Sequence, residues 1–299
     1  MSTTQKLVGT GVALVTPFDA NGAIDVSALQ ALVEHVLDGG VDYLVALGTT
    51  AESVTLTAEE KRLVMQTISL VNAGRLPLVV GVGGNNTHAV VKELQSMDIM
   101  DYEFILSVSP CYNKPTQEGI YRHFRELSLH SPLPIILYNV PSRTGSNMLP
   151  ETTLRLARDF ENIVAIKEAC ADSLQIDGIL QHKPDGFLVI SGDDFTALPT
   201  VLAGGSGVIS VLGQALPDAF SNMIDLALRG ESEPAYAIHQ SLLNGMHLAF
   251  EEGNPAGVKA FLAQLGIGGL QVRLPLVAAS KELTQRIGSF LGTLQQVGA

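Results

Sequence analysis

Eight short, almost uninterrupted aliphatic runs recur along this chain, and they limit its fold more than any other feature. They are GVALVTPF (11–18), DYLVALG (42–48), LPLVVGVG (76–83), YEFILSVSP (102–110), LPIILYNVP (133–141), NIVAIKEA (162–169), GFLVISG (186–192) and SGVISVLG (206–213). Runs without polar alternation predict strands covered on both faces, the condition of a parallel sheet. Amphipathic segments with helix signals lie between them. Asp25 is placed to cap VSALQALVEHVLDGG, whose Val26, Leu29, Val33 and Val36 form one stripe before a stop at Gly39. Thr57 and Glu60 form a capping box for a helix stopped at Gly74, and Pro150 suits a first helical turn. Eight strand–helix repeats predict a closed (β/α)8 barrel, with an open doubly wound sheet as the second choice. Beyond residue 213 the periodicity is helical throughout. The expected division is a barrel over 1–229 and a C-terminal helical extension over 230–299.

Composition supports this reading. At 299 residues the chain accommodates a barrel of about 250 residues with an appendage. Only 16% of residues are charged and 46% are hydrophobic, which favours burying part of the surface in an oligomer. A net charge of −12 without a Lys/Arg-rich run argues against nucleic acid and anionic membranes. Neither a secretory leader nor an apolar run long enough to span a bilayer is evident, and Cys111 and Cys170 form no Cys-x-x-Cys pair. A reducing, cytoplasmic setting is expected.

Barrel enzymes place their chemistry at the C-terminal ends of strands. Those ends read GTTAES (48–53), SPCYNKP (109–115), YNVPSRTG (138–145), IKEAC (166–170) and SGDD (191–194). Lys167 is a poor fit to an apolar strand. In a dry interior its pKa would fall toward about 7–8, giving an amine able to attack a ketone and form a Schiff base. The competing reading is a strand-end lysine that snorkels or pairs with Glu168. Tyr138, on the preceding strand, is either a proton shuttle or a buried phenol with a hydrogen-bond partner. The Thr49–Thr50 turn can hold a small carboxylate. Arg143 offers a fork for a second carboxylate, or is an ordinary surface arginine. His35, His88, His123, His130, His182, His239 and His247 lack ligand spacing, so no metal site is expected. Cys170 reads as packing. AGGSG (203–207) could cradle a phosphate, but without a basic partner it reads as a tight turn.

GTTAES, SPCYNKP, YNVPSRTG and IKEA, in this order, resemble the pyruvate-dependent class I aldolase family that includes N-acetylneuraminate lyase. The Arg-containing YNVPSRTG resembles its branch that condenses pyruvate with L-aspartate 4-semialdehyde in lysine (diaminopimelate) biosynthesis. The resemblance implies a Schiff base on Lys167, the pyruvate carboxylate on Thr49–Thr50, and a proton relay of Tyr138, Thr49 and Tyr112. It further implies Arg143 on the semialdehyde carboxylate and the backbone carbonyl of Ile209 facing the site. Tyr112 would reach into a neighbouring subunit, implying at least a dimer and commonly a tetramer built of two dimers. No metal or organic cofactor is implied. Two positions depart from the pattern. Ala51 replaces a glycine, so its turn must adopt a conformation alanine tolerates, and Cys111 replaces the first of a Tyr-Tyr pair. A lysine-binding cleft would align with Ser53, Asn85 and positions 58, 61, 89 and 111. The last four are here Ala58, Lys61, Ala89 and Cys111, which predicts weak or absent feedback inhibition. A sibling aldolase acting on sialic or 2-keto-3-deoxy sugar acids, a phosphosugar aldolase and a noncatalytic metabolite-binding barrel remain as alternatives.

Overall fold

The computed structural model describes residues 3–297. Its strands are β1 (Gly9–Ala13), β2 (Tyr43–Ala46), β3 (Leu78–Gly81), β4 (Phe104–Val108), β5 (Ile135–Asn139), β6 (Ile163–Glu168), β7 (Leu188–Ser191) and β8 (Gly207–Ser210). All pair in parallel and in chain order, and β1 pairs with both β2 and β8. That last pairing closes the barrel and excludes the open sheet.

Closure resolves each apolar run into two faces. Successive side chains on a strand point to opposite sides. Tyr43, Val45, Phe104, Ile136, Ala165 and Ile190 therefore fill the lumen. Leu44, Ile105, Ile135, Leu137, Ile166 and Val189 pack outward against the helices. A run that looks uniform in sequence thus feeds two separate cores. At Gly11 a Cβ would lie 2.1 Å from the Tyr43 ring, so glycine there makes room for the largest side chain at the barrel's base.

Asp25 caps helix Val26–Asp38 by accepting from the Ala28 N–H, and the Thr57–Glu60 capping box opens helix Ala58–Asn72. Two expectations need correction. The second helix stops one residue early: Ala73 is left-handed, with φ 48°, ahead of Gly74. The first strand ends at Ala13 rather than running to Phe18. Pro17 cannot donate to a ladder, and the Gln214 side chain takes over, accepting from the Val15 N–H and donating to the Ala13 carbonyl, both at 2.8 Å. Leu14, Val15 and Phe18 are a buried loop, not a strand.

After β8 come helices Pro217–Leu228, Ser232–Phe250, Ala256–Gln264 and Lys281–Val297. They pack into the outer core through Leu242, Met246, Phe261 and Ile287. The bend between Phe250 and Ala256 brings Asn254 over the C-terminal mouth of the barrel. Among the described residues no helix is long and apolar enough to cross a membrane.

Candidate active site

Strand alternation sends Lys167 inward and Glu168 outward. The Glu168 carboxylate lies among the helices, accepting from Asn139 Nδ2 at 2.9 and 3.1 Å, Gln175 Nε2 at 2.9 Å and the Cys170 N–H at 2.8 Å. The pairing of Lys167 with Glu168 is therefore overturned: neighbours on one strand face opposite cores. Lys167 is 4% exposed, and Tyr138 stands directly opposite it in the β5–β6 register. Its Nζ is 4.5 Å from the Tyr138 ring centroid. Burial lowers the Lys167 pKa to about 8, with Arg143 pushing the same way and Asp194 opposing. Asp194 is itself buried and held by Ser210 Oγ at 2.6 Å and the backbone N–H groups of Val211 and Leu212 at 3.1 and 2.7 Å.

Gly192, just past β7, gives Lys167 its path. A Cβ there would come within 3.0 Å of both Cγ and Cε of Lys167 and 2.8 Å of the Ala169 Cβ. Gly192→Ala should turn the amine aside and lower kcat/KM by roughly 10–100-fold, the scale expected of an ångström-sized misplacement. Slowed borohydride trapping of substrate on Lys167 would register it, and an unchanged trapping rate would refute it.

Lys167, Tyr138, Thr50 and Arg143 line one cavity of about 360 Å3, together with Phe250 and Asn254. Asn254 Nδ2 donates to Thr50 Oγ1 at 3.0 Å, and the Asn254 backbone carbonyl accepts from Arg143 Nη2 at 3.3 Å. Arg143 sits in the one-turn helix Pro141–Thr144 that follows β5 and forms no ion pair among the described residues. Tyr138 also borders a second cavity of about 160 Å3 with Thr49, Ser53, Lys61 and Glu93. Burial raises the Tyr138 pKa, while the Thr49 side chain and the Arg143 charge hold the rise back. The phenol therefore stays protonated, with a hydroxyl partner on one side and the amine on the other.

The Thr49–Ala51 turn does not use left-handed angles at Ala51; those fall on Leu47 (φ 54°) and Glu52 (φ 53°), so alanine fits unstrained. Ile209 lies in the buried wall of β8. Tyr112 is absent from its own chain's cavity: it is 88% exposed, with a left-handed backbone at φ 67°. Cys111 beside it is exposed, as is Asn85. Cys170 borders the main cavity with its thiol pushed up by burial. The AGGSG turn is close packing, since a Cβ at Gly207 would meet the Gly9 carbonyl oxygen at 1.9 Å. No cluster of three or more His, Cys, Asp or Glu suited to a metal ion occurs among the described residues. Sequence reasoning missed Asn254, Phe250, Asp194 and Gly192.

Residues 6–294 match the model of the dihydrodipicolinate synthetase family. A 4-hydroxy-tetrahydrodipicolinate synthase of Flavobacterium psychrophilum is 54% identical over 292 residues, spanning 98% of this chain and 100% of that protein. The crystal structure of dihydrodipicolinate synthase from Thermotoga maritima aligns with a TM-score of 0.93 at 38% identity, covering 96% of this chain and 98% of that one. The chloride-inhibited dihydrodipicolinate synthase of Acinetobacter baumannii, complexed with pyruvate, aligns at 0.92 with 35% identity over 95% of this chain and 98% of that one. With the closed barrel and the lysine at the end of its sixth strand, these likenesses establish that the chain belongs to the dihydrodipicolinate synthetase family.

Proposed function

We propose that this protein is a lyase that condenses pyruvate with L-aspartate 4-semialdehyde to give 4-hydroxy-tetrahydrodipicolinate, in lysine biosynthesis through diaminopimelate. The observation that carries the reading is one cavity holding a desolvated amine, a phenol and an arginine with no carboxylate partner among the described residues. The free amine of Lys167 attacks C2 of pyruvate, whose carboxylate rests on the Thr49–Thr50 turn. Protons delivered through Tyr138 let the carbinolamine lose water to an iminium. Loss of a C3 proton gives an enamine, the iminium having served as electron sink. The enamine carbon bonds to the aldehyde carbon, whose oxygen takes up a proton. The amino group of the semialdehyde then attacks C2, closing the ring and expelling Lys167 as a free amine.

Arg143 is assigned the semialdehyde carboxylate. Charge-assisted hydrogen bonds are worth about 1.5–3 kcal/mol, so Arg143→Gln should lower kcat/KM for the semialdehyde by roughly 10–150-fold. KM for pyruvate should stay within about twofold, and steady-state kinetics with each substrate varied separates the two. Equal losses for both substrates would refute the assignment.

We assign Tyr112 to the site of a neighbouring subunit, as third member of the relay with Tyr138 and Thr49. An aromatic side chain this exposed on a left-handed backbone supports that role. A homotetramer built of two dimers, in the cytoplasm, follows as the working assembly. Ile209 would turn its carbonyl toward the bound substrate.

Ser53 and Asn85 mark the cleft where lysine would bind. Lys61 bonds to Glu93 at 3.2 Å beside Ser53, putting a cation near the ligand's ammonium and neutralising the adjacent carboxylate. Turnover should be unaffected by lysine up to roughly 1 mM, and submillimolar inhibition in a coupled assay would refute this.

The test of the whole reading is borohydride reduction with pyruvate, followed by peptide mass spectrometry, beside a condensation assay. A reduced adduct on Lys167 with semialdehyde-dependent turnover is expected. An adduct with pyruvate release from a sugar acid and no condensation would reassign the chemistry to a sibling aldolase.

A further inference from the structure

The substrate-facing turn Thr49–Ala51 is followed by Glu52, whose backbone is left-handed at φ 53°, ψ 33°. Side chains disfavour that region, and residues stay there only when their surroundings hold them. Glu52 is almost fully buried, and both of its carboxylate oxygens are engaged. Lys259 Nζ donates to Oε1 at 2.6 Å and the Arg273 N–H donates to Oε2 at 2.8 Å. Lys259 also donates to the Gln271 carbonyl at 2.8 Å and lies 4.3 Å from the Phe18 ring centroid. The Arg273 guanidinium carries the tie outward to Glu60 and to the carbonyls of Gly22 and Thr55. Every group that fixes the Glu52 carboxylate thus comes from beyond the barrel strands, as does Asn254, which bonds to Thr50 of the same turn.

A buried ion pair adds little net stability over apolar side chains of the same size; what it supplies is one required geometry. Here that geometry belongs to the residue next to a turn that borders the cavity through Thr50. We propose that the Glu52–Lys259 ion pair is a positioning device for the substrate carboxylate, holding the Thr49–Ala51 turn from behind and making the C-terminal helical segment part of the pyruvate-binding apparatus. The proposal rests on the reading of that turn as the pyruvate-carboxylate site.

The test is the double variant Glu52→Gln/Lys259→Met, which removes both charges and keeps the side-chain volumes. Losing both partners together spares the fold the uncompensated charge that either single change would leave. The melting temperature should match or exceed that of the unaltered protein. KM for pyruvate should rise about tenfold or more, with kcat and KM for the semialdehyde within about twofold, the pattern of lost ground-state binding. Glu52→Gly/Lys259→Met, in which glycine suits the left-handed backbone and no buried charge is left unpaired, carries the same expectation and serves if the first double variant does not fold.

An unaltered KM for pyruvate in either folded variant overturns the proposal. So does a parallel rise in both KM values, which would report a general loosening. Borohydride trapping in the unaltered protein is the control. No adduct there would defeat the reading of the reaction, whereas an adduct there with unchanged pyruvate KM in the variants would defeat the positioning role alone.

Discussion

Lys167→Met will abolish the reducible pyruvate adduct and lower kcat/KM by more than about 10^3-fold, yet leave the protein more stable at pH 7. The first two effects follow from losing the proposed nucleophile. The third follows from burial. Taking the ammonium out of water lowers its pKa from 10.5 to about 8, which corresponds to about 3 kcal/mol of native-state destabilisation while the group is charged. Below pH 8 native and unfolded states both carry the proton and the full cost is present. Between pH 8 and 10.5 the native state releases its proton first, so the unaltered protein gains stability as pH rises. Methionine fills similar space without a charge. Its advantage should therefore be largest below pH 8 and shrink by roughly 1 kcal/mol by pH 9. Urea titrations at pH 7 and 9 measure this directly, and a variant less stable than the parent at pH 7 would refute it. In the proposed Schiff-base chemistry the same ionisation frees the amine, so adduct formation should quicken as pH rises through about 8.

Lys167 was legible in the sequence because a cation in NIVAIK violates the strand's own pattern. The barrel was legible for a similar reason: eight uniform apolar runs need cover on both faces. Closure was not, because it depends on β1 meeting β8 across some 200 residues, from Gly9–Gly207 to Val12–Ser210. The same distance hid much of the site. Asn254 touches Thr50 across 204 positions and Lys259 touches Glu52 across 207, and neither residue stands in a local motif. Gly192 and Asp194 did lie in the SGDD strand end, yet their roles depend on the path of a lysine from the neighbouring strand. Where local chemistry decided, the reading was sound, as with the Thr57–Glu60 capping box. Where a distant side chain replaced a backbone partner it failed: Gln214 ends the first strand early. Glu168 shows a subtler case. It looked like a partner for Lys167 because the two are adjacent, and strand geometry makes adjacency a separation.

Tyr138→Phe separates proton transfer from covalent capture. The ring packs in the barrel lumen and stands 4.5 Å from the amine, so phenylalanine keeps the packing that orients Lys167 and removes only the hydroxyl. General acid–base catalysis contributes about 10²–10⁴-fold, and kcat should fall by that much. KM for pyruvate should change by no more than about threefold, because Thr49 and Thr50 themselves are unaltered and only one hydroxyl contact to the turn is lost. Lys167 should still be labelled by pyruvate and borohydride, but slowly, since water must leave the carbinolamine without the phenol. That slow labelling distinguishes this variant from Lys167→Met, which gives none. Because burial raises the Tyr138 pKa, the proposed relay calls on it as a phenol passing protons along hydroxyls rather than as a standing phenolate. Thr49→Val should accordingly cost less, on the order of tenfold, and add little to Tyr138→Phe, as expected of residues acting on one proton path. A kcat within threefold of the parent's in Tyr138→Phe, or full additivity with Thr49→Val, would mean that the protons travel by another route and that the phenol only packs against the lysine.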